Sequence, residues 1–325
     1  MNYPDFQPAW WLPAAHLQTI WPALFRKQPD IEVTRERVEL ADGDFLDLDW
    51  HGNSKDPLVL INHGLEGSIN SHYAIPLMDC LNKAGFASVF MHFRNCSEEP
   101  NRLARAYHSG ETDDIQAIIE HVLKSHQRQV FAAIGFSLGG NALLKWLGES
   151  GKSNPLKCAA AVSVPFLLAD SASKLSSGFS RLYQWHLLRS LKKSYIRKFS
   201  TIKAPLNINV EKLSTFREFD NAVTAPLHGF QGVDDYYQQS SCRQYLHNIQ
   251  VPTCIIHSQD DPFMYEDSIP HDDEISGQVE MNISSHGGHV GFVCGAFPWS
   301  PCYWHEAVIS NFLQRHRPAG ESTPR

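Results

Sequence analysis

A glycine-rich turn near the middle of the chain carries the side chain best suited to chemistry. Ser137 lies in the pattern GFSLG (residues 135–139), between an apolar run at 130–134 and a helical run that begins at residue 138. A serine on such a strand-turn-helix segment projects its hydroxyl, and the flanking glycines let the strand and helix approach closely. The pattern alone also fits an ordinary turn whose serine caps a helix. Its position between a strand and a helix favours Ser137 as a nucleophile.

A serine hydroxyl needs a base, and the base needs a carboxylate to orient it. His289 follows the last apolar run of the chain in the segment SSHGGHVGF (residues 284–292). The glycines there permit a close turn toward Ser137, so we expect His289 to be the general base. His286 competes for that role. The two histidines also suggest a metal site, but no carboxylate or cysteine at ligand spacing completes one, and we expect neither metal nor cofactor.

The carboxylate should follow a strand that precedes the histidine. When the serine lies on a GxSxG turn between a strand and a helix, the three catalytic residues occur in the chain order serine, acid, histidine. Asp260 and Asp261 both follow the apolar run at 253–256, in the segment SQDDPF (residues 258–263). The offset of the Asp-Pro step from the strand favours Asp261 as the acid. Asp260 is then a structural neighbour or a helix-capping residue.

An ester-cleaving serine also needs donors for the oxyanion of the tetrahedral intermediate. After the run at 58–61 comes NHGLEGS (residues 62–68), a turn at the end of a strand. The backbone N–H groups of Leu65 in this turn and of Leu138 after the nucleophile are the predicted donors. The alternative is that His63 and Gly64 merely end the strand.

The elements that must position these residues are strands and helices that alternate along the chain. Alternating apolar and polar residues around a turn at 41–44 predict an antiparallel hairpin over 36–50. Short apolar runs then predict strands buried on both faces, at 58–61, 87–91, 130–134, 159–164, 253–256 and 279–283. Helices are predicted near 71–84, 112–126, 138–149 and 302–315. This alternation of strands and helices predicts an α/β fold with a mostly parallel, doubly wound sheet.

The alternation of strands and helices is interrupted between the strands at 159–164 and 253–256, where the sequence is helical, polar and basic. We therefore predict an N-terminal extension at 1–30, a core formed by 31–165 and 249–316, a helical cap inserted at 166–248, and a flexible tail at 317–325. Phe179 and Leu182 are the cap side chains expected to line a substrate pocket. Residues 170–203 are basic and amphipathic, which fits an ordinary helix with a solvated face and also fits peripheral contact with anionic lipid.

Bulk properties restrict the class of function and the cell compartment. A formal net charge of −7 argues against general nucleic-acid binding. The seven cysteines are scattered, without close pairs, and are expected to be reduced thiols in the cytoplasm. The first 27 residues contain three tryptophans but lack the pattern of a signal peptide, and Pro13 and Pro22 are expected to interrupt any long helix there. No run reaches the roughly 18 apolar residues of a membrane span.

Several motifs together resemble those of the YheT-type esterases, an abhydrolase branch of the α/β-hydrolase superfamily. They are NHGLEG (62–67), FRNCS (93–97), YHSGETDD (107–114), GFSLGGN (135–141), DDP (260–262), HGGH (286–289) and the N-terminal HLQTI (16–20). The resemblance covers residues 16 to about 304. It implies the α/β-hydrolase fold, the triad Ser137, Asp261 and His289, and no cofactor. Asn95 departs from the pattern, in which glycine is expected.

The resemblance implies a serine carboxylic-ester hydrolase. We expect its substrate to be a small-molecule ester of short or medium acyl length, with lipid-derived esters among the possibilities. Thioester hydrolysis or acyl transfer by the same serine is an alternative that the residues do not separate. A non-catalytic α/β-hydrolase scaffold is a third possibility, because a fold alone does not guarantee activity. The presence of all three triad side chains argues against it. The oligomeric state is left open.

Overall fold

A computed structural model describes residues 5–317 and contains an eight-stranded sheet in the order β1-β2-β4-β3-β5-β6-β7-β8. Its strands are β1 (Thr34–Glu39), β2 (Phe45–His51), β3 (Leu58–Asn62), β4 (Ala87–Met91), β5 (Val130–Phe136), β6 (Cys158–Val162), β7 (Thr253–Ser258) and β8 (Val279–Ser284). Strand β2 is antiparallel to β1 and to β4, and the strands from β4 to β8 in this order are parallel. The predicted hairpin, the six predicted parallel strands and the doubly wound sheet are confirmed.

Burial explains why the central strands read as continuous apolar runs. Every residue of β3 is buried, because Leu60 faces one layer of helices while Val59 and Ile61 face the other. Two separate apolar cores therefore flank the sheet. Strand β1 lies at the edge of the sheet, and Val38 is its one buried residue.

Helices cover both faces of the sheet and fill the long connection between β6 and β7. They are α1 (Ala15–Phe25), α2 (Ala74–Lys83), α3 (Asp113–His126), α4 (Leu138–Ser150), α5 (Leu168–Leu175), α6 (Arg181–Phe199), α7 (Phe216–Phe219), α8 (Ala225–Leu227), α9 (Val233–Ser240) and α10 (Trp304–Arg315). Helices α2 and α10 pack on one core, whereas α3 and α4 pack on the other. Across residues 5–317, none of the helices combines the length and apolarity required to traverse a bilayer.

The connection between β6 and β7 builds its own apolar clusters away from the sheet. Leu168, Leu175 and Phe216 belong to one cluster, and Leu188 and Phe219 belong to another. A π-helical turn at Asp220–Thr224 joins α7 to α8, and a 3-10 helix at Arg243–Asn248 returns the chain to β7. We call residues 166–248 the cap, and its boundaries stay a prediction. Of the predicted tail, residues 318–325 lie outside the described residues, as do residues 1–4 of the predicted extension.

The expectation that Pro22 interrupts a helix is wrong. Helix α1 runs through it, although proline supplies no N–H for the bond to the carbonyl of Gln18. Tertiary contacts offset that loss. The Gln18 side chain donates to the carbonyls of Leu12 and Val293 and accepts from the Val293 N–H, and Trp21 packs edge-on against Trp11 with ring centroids 4.8 Å apart.

The expectation of seven reduced thiols is also wrong for two of them. Cys294 and Cys302 form a disulfide between β9 (Val293–Phe297) and β10 (Ser300–Tyr303). These strands pair as an antiparallel hairpin that places the two cysteines opposite each other, with 4.9 Å between their Cα atoms. The sequence showed only an eight-residue separation, and β10 also moves the start of α10 from the predicted residue 302 to Trp304. Disulfides are rare in the reducing cytoplasm, so this pair does not support the predicted cytoplasmic location.

Gly139→Ala tests the close packing of α4 on the end of β3. A Cβ atom at Gly139 would lie 2.3 Å from the carbonyl oxygen of His63 and 2.6 Å from that of Asn62, so the backbone must shift. We expect a loss of about 1 to 3 kcal/mol in the free energy of unfolding, the usual cost of overpacking, measured by chemical denaturation. Gly277→Ala is the matched control, because a Cβ there meets nothing within 4 Å. Equal effects of both substitutions would contradict this packing.

Candidate active site

Ser137 lies on the turn between β5 and α4 in a backbone conformation that few non-glycine residues adopt. Its φ is 50° and its ψ is −119°, and its N–H donates to the carbonyl of Val162 at 2.9 Å. The glycines make this turn possible. A Cβ at Gly135 would lie 2.5 Å from the carbonyl oxygen of Gly139 and 2.6 Å from the Cα of Gly140. The spacing of the GxSxG pattern is therefore a steric requirement of the strand-helix approach.

His289 and Asp261 meet Ser137 in a line of hydrogen bonds. The Nε2 atom of His289 is 3.0 Å from the Ser137 Oγ, and its Nδ1 atom is 2.8 Å from Asp261 Oδ2. Asp261 is 3% exposed and its other oxygen accepts from the N–H of Phe263 at 2.8 Å. An ionised carboxylate only accepts, so Nδ1 carries the proton and the Nε2 lone pair faces the hydroxyl. This is the tautomer that a general base requires.

The structure brings Asp261, and not Asp260, to His289. Asp260 accepts from the backbone N–H of Gly288 at 2.9 Å, and its second oxygen lies 3.3 Å from Nδ1 of His286. The His286 side chain is 54% exposed. Asp260 and His286 thus form a separate pair on the outside of the loop, where Asp260 ties the loop that carries His289.

Helix α1 supports the histidine loop, a role that sequence reasoning missed. The N–H of His289 donates to Thr19 Oγ1 at 2.9 Å, and a Cβ at Gly288 would lie 2.4 Å from the carbonyl oxygen of Ala15. From the other side, Ser163 Oγ accepts from the N–H of Val290 at 2.9 Å. The only signal in the sequence was the HLQTI segment of the family resemblance.

The two predicted oxyanion donors lie beside Ser137. The N–H groups of Leu65 and Leu138 donate to no hydrogen bond within residues 5–317, and both residues line the cavity that contains the serine. A Cβ at Gly64 would lie 3.2 Å from the Cβ of Ser137, so the turn and the serine are in close contact. The neighbouring N–H of Gly64 is occupied, because it donates to the Tyr73 hydroxyl at 2.9 Å.

Buried His63 fixes the shape of this turn. Its Nε2 accepts from the N–H of Phe93 at 3.0 Å, so Nδ1 carries the proton and donates to the carbonyl of Gly64 at 2.6 Å. Burial lowers the pKa of His63 to about 3, which keeps the ring neutral. The His-Gly pair therefore has a structural role in holding the turn.

Comparison with known proteins agrees with this geometry. Residues 57–296 match the alpha/beta hydrolase fold family. The chain belongs to this family. It is 42% identical to "Putative esterase YheT" of Escherichia coli (strain K12), over 95% of this chain and 93% of the relative. It is 28% identical to the human "Phospholipase ABHD3", over 95% of this chain and 78% of the relative.

Solved structures give the same fold at lower sequence similarity. The Pyrococcus furiosus esterase Pf2001 superposes with a TM-score of 0.59 at 17% identity, covering 97% of this chain and 99% of that one. This likeness shows the fold alone. Together with the family match, it confirms the predicted α/β-hydrolase fold. The 42% identity to the Escherichia coli relative confirms the resemblance to YheT-type proteins.

A cavity of about 710 Å³, lined in part by Ser137 and His289, extends into the cap of this alpha/beta hydrolase. Apolar side chains of the cap form much of its wall, including Leu168, Leu175, Leu187 and Leu191. The prediction that Phe179 and Leu182 line it is wrong: they are 53% and 52% exposed and lie outside the lining. Which side of a cap helix faces inward depends on how the helix packs, and the sequence pattern did not settle this.

Ionisable groups form the remaining wall of the cavity. Burial raises the pKa of Glu66, raises that of Asp220 to about 6, lowers that of Lys198 to about 8 and lowers that of His228 to about 4. Each shift favours the neutral form. A pKa of about 8 still leaves Lys198 mostly protonated at neutral pH, and a pKa of about 6 leaves Asp220 mostly ionised, so the cavity keeps these two charges.

The two remaining motifs of the resemblance brace the site. Asn95 has a φ of 69°, a left-handed conformation that glycine favours and that asparagine tolerates better than most residues. This accounts for the departure from the family pattern. Tyr107, from the YHSGETDD motif, accepts from the N–H of Glu66 at 2.7 Å and so holds the residue after the Leu65 donor.

One group of potential metal ligands occurs among residues 5–317, and it lies away from the triad. Glu36, His121 and His126 bring ligand atoms within 4.8 Å of one another at the edge strand β1 and the end of α3. The two imidazoles approach the carboxylate at 2.8 and 3.0 Å, which are hydrogen-bond distances. Three strands separate β1 from β5 in the sheet order, so this group lies apart from Ser137.

Asp261→Asn should lower turnover far more than Asp260→Asn. An amide in place of the Asp261 carboxylate cannot stabilise the imidazolium and favours the wrong tautomer of His289, a change that costs about 10⁴-fold in kcat in serine proteases. Asp260→Asn removes only the charged partner of the exposed His286, and its amide oxygen can still accept from Gly288. Steady-state kinetics with one soluble ester, on variants of equal stability, measure the ranking. The reverse order would mean that Asp260 is the acid.

Proposed function

We propose that the chain is a serine carboxylic-ester hydrolase that uses Ser137, His289 and Asp261 as its catalytic triad. The observation that carries the proposal is the unbroken line of hydrogen bonds from Asp261 Oδ2 through the imidazole to the Ser137 hydroxyl. The names of two relatives, an esterase and a phospholipase, agree with a reaction on acyl esters.

In the proposed acylation step, the Ser137 Oγ attacks the ester carbonyl carbon while His289 Nε2 takes the hydroxyl proton. Asp261 stabilises the imidazolium that forms. The carbonyl oxygen becomes an oxyanion, which accepts from the free N–H groups of Leu65 and Leu138. When the intermediate collapses, the alcohol leaves with the proton from His289, and the acyl group stays on Ser137.

In the proposed deacylation step, water replaces the alcohol. His289 Nε2 takes a proton from the water, whose oxygen attacks the acyl carbon and forms a second oxyanion in the same site. Collapse of this intermediate returns the proton to Ser137 Oγ and releases the carboxylic acid. The neutral, Nδ1-protonated state of His289 is restored, and no cofactor enters the cycle.

The proposed substrates are esters of short to medium acyl chains, including chains derived from lipids. Leu168 and Leu175 of α5 and Leu187 and Leu191 of α6 give the wall beside the triad an apolar character. A cavity of about 710 Å³ lies within the range that drug-sized ligands occupy. In this proposal the cap at 166–248 supplies the acyl-binding wall and no triad residue.

Ser137→Ala should abolish both ester hydrolysis and labelling by a fluorophosphonate probe. Loss of a triad nucleophile costs several orders of magnitude in kcat, because the remaining groups cannot form the acyl-enzyme. Ser177→Ala is the control, since it removes an exposed cap hydroxyl. Circular dichroism checks the fold of both variants. If Ser137→Ala retains more than about a tenth of the wild-type rate, the assignment fails. A wild-type protein that neither reacts with the probe nor cleaves p-nitrophenyl esters would be a scaffold.

Leu187→Ala and Leu191→Ala should change the preference for acyl-chain length. Each substitution enlarges the apolar wall, so the ratio of kcat/KM between longer and shorter p-nitrophenyl esters should shift by about 1 to 3 kcal/mol per altered contact. Leu182→Ala is the matched control, a leucine of the same helix that lies outside the lining. An unchanged ratio in folded, active Leu187 and Leu191 variants would contradict an acyl-binding role for the cap.

A further inference from the structure

Large apolar side chains are exposed on three neighbouring segments around the N-terminal region. The segments are residues 10–25, the turn of the cap that carries Phe179 just before α6, and the β9–β10 hairpin. We call the following residues the apolar face: Trp10, Leu17, Leu24, Phe25, Phe179, Phe297 and Trp299, with exposed fractions of 74, 47, 68, 60, 53, 50 and 80%. Single exposed apolar residues are common, but a group of this size marks a surface that binds another molecule or a membrane.

Direct contacts join the hairpin to the N-terminal region. The Trp10 indole N–H donates to the carbonyl of Ala296 at 2.9 Å, and the adjacent Phe297 and Trp299 rings stack with centroids 4.9 Å apart. The indole N–H of Trp11 donates to Gly295 at 3.2 Å. The indole N–H groups of Trp10 and Trp11 are thus satisfied within the protein. The exposed Trp10 ring can therefore enter an apolar medium without an unpaired donor.

Further contacts extend the face through α1 to the cap. Trp21 packs against Trp11, and its ring centroid is 4.5 Å from that of Phe25. At the start of α1, the His16 ring lies 4.4 Å from that of Phe179. The hairpin, α1 and the cap residue Phe179 are therefore held together as one surface.

This surface borders the mouth of the substrate cavity. Ala23 and Leu24 are exposed and also line the cavity that contains Ser137, and Ile20 lines it one turn earlier. The same helix contributes Thr19, which holds the backbone of His289. An ester that enters past Leu24 would pass from the apolar face to the triad without crossing a charged helix surface.

The distribution of charged residues favours a lipid surface over other molecules that could bind the apolar face. Neither α1 nor the hairpin from Val293 to Tyr303 contains an aspartate, glutamate, lysine or arginine. Helix α6 carries six lysines and arginines and no acidic residue, in a chain whose formal net charge is −7. Arg181, Arg189 and Lys193 of this helix are exposed. Aromatic residues flanked by cations are the combination that binds the interface of an anionic bilayer.

We propose that the apolar face and the exposed cations of α6 dock the enzyme on an anionic lipid surface. The aromatic side chains enter the headgroup region, the cations contact lipid phosphates, and the mouth beside Leu24 opens toward the membrane. Docking is a binding event that does not depend on catalysis. The further consequence, that esters pass from the bilayer to Ser137, rests on the proposed function.

Vesicle flotation tests docking with the full-length Ser137→Ala variant, which leaves the lipid intact. Phosphatidylcholine vesicles with and without phosphatidylglycerol are the probes. We expect binding to the anionic vesicles, and a loss of about tenfold or more in affinity when Phe25→Ser and Trp299→Ser are added, because two exposed aromatic anchors are removed. Leu123→Ser is the matched control: Leu123 is 51% exposed on α3, which packs on the other core of the sheet, and its loss should change nothing.

A second set of substitutions separates the cations from the aromatic residues. A triple variant should bind anionic vesicles more weakly and without salt dependence. Its substitutions are Arg181→Gln, Arg189→Gln and Lys193→Gln. Absence of vesicle binding, or equal losses in the Leu123→Ser control, would overturn the proposal. So would a concentration-dependent dimer in sedimentation that Phe25→Ser and Trp299→Ser abolish while vesicles go unbound, because the face would then join two copies of the chain.

Kinetics test the consequence separately, in a protein with an intact triad. Phe25 and Trp299 lie outside the cavity lining, so Phe25→Ser with Trp299→Ser should leave kcat/KM for a soluble p-nitrophenyl ester unchanged. Hydrolysis of an acyl ester embedded in anionic vesicles should fall in proportion to the lost binding. If this variant and the wild type hydrolyse the embedded ester at equal rates, the proposal that esters enter from the bilayer is wrong. Vesicle binding without hydrolysis of any ester would support docking and contradict the proposed function.

Discussion

The structure depends on one tight contact, the approach of α4 to the ends of β3 and β5. This contact forces Ser137 into a φ of 50° and leaves room only for hydrogen at Gly135 and Gly139. It also brings the turn after β3 against the serine, since a Cβ atom at Gly64 would lie 3.2 Å from the Cβ of Ser137. A strained residue persists only where its surroundings fix it. Here the two central strands and a helix with ten buried residues provide that constraint.

The histidine loop meets this serine because supports from distant parts of the chain converge on it. Thr19 of α1 holds the backbone of His289, Ser163 after β6 holds that of Val290, and Asp260 after β7 holds that of Gly288. The Phe263 ring lies parallel to the imidazole, with centroids 3.9 Å apart, and covers one side of it. With Nδ1 bonded to Asp261, the ring has little freedom to turn away from Ser137. The N-terminal segment is thus part of the architecture of the site.

Features that depend on short local patterns could be predicted from the sequence. Features that depend on tertiary packing could not. The turn around Ser137, the buried strands and the serine-acid-histidine order follow from short patterns whose sterics and burial are general. The offset of the Asp-Pro step also selected the aspartate that reaches His289. Helix α1 escaped prediction because contacts made by Gln18 and Trp21 offset the presence of Pro22. The inward side of α6 escaped it as well, because both sides of that helix carry leucines and aromatic rings, and only packing shows that Leu187, not Leu182, faces the cavity.

Glu66 links the turn after β3 to the cap. It directly follows Leu65, adopts a φ of 53°, and accepts hydrogen bonds from Tyr107 of the core and Ser194 of α6. Burial raises the pKa of its carboxyl. One turn further along α6, the buried ammonium of Lys198 donates to Asn95, the residue in the left-handed conformation. Helix α6, whose Leu187 and Leu191 line the cavity, is thereby fastened to the turn after β3 and to the loop that carries Asn95. A change in where α6 lies must either break these bonds or move that turn, so the cavity wall and the surroundings of Ser137 are set by the same contacts.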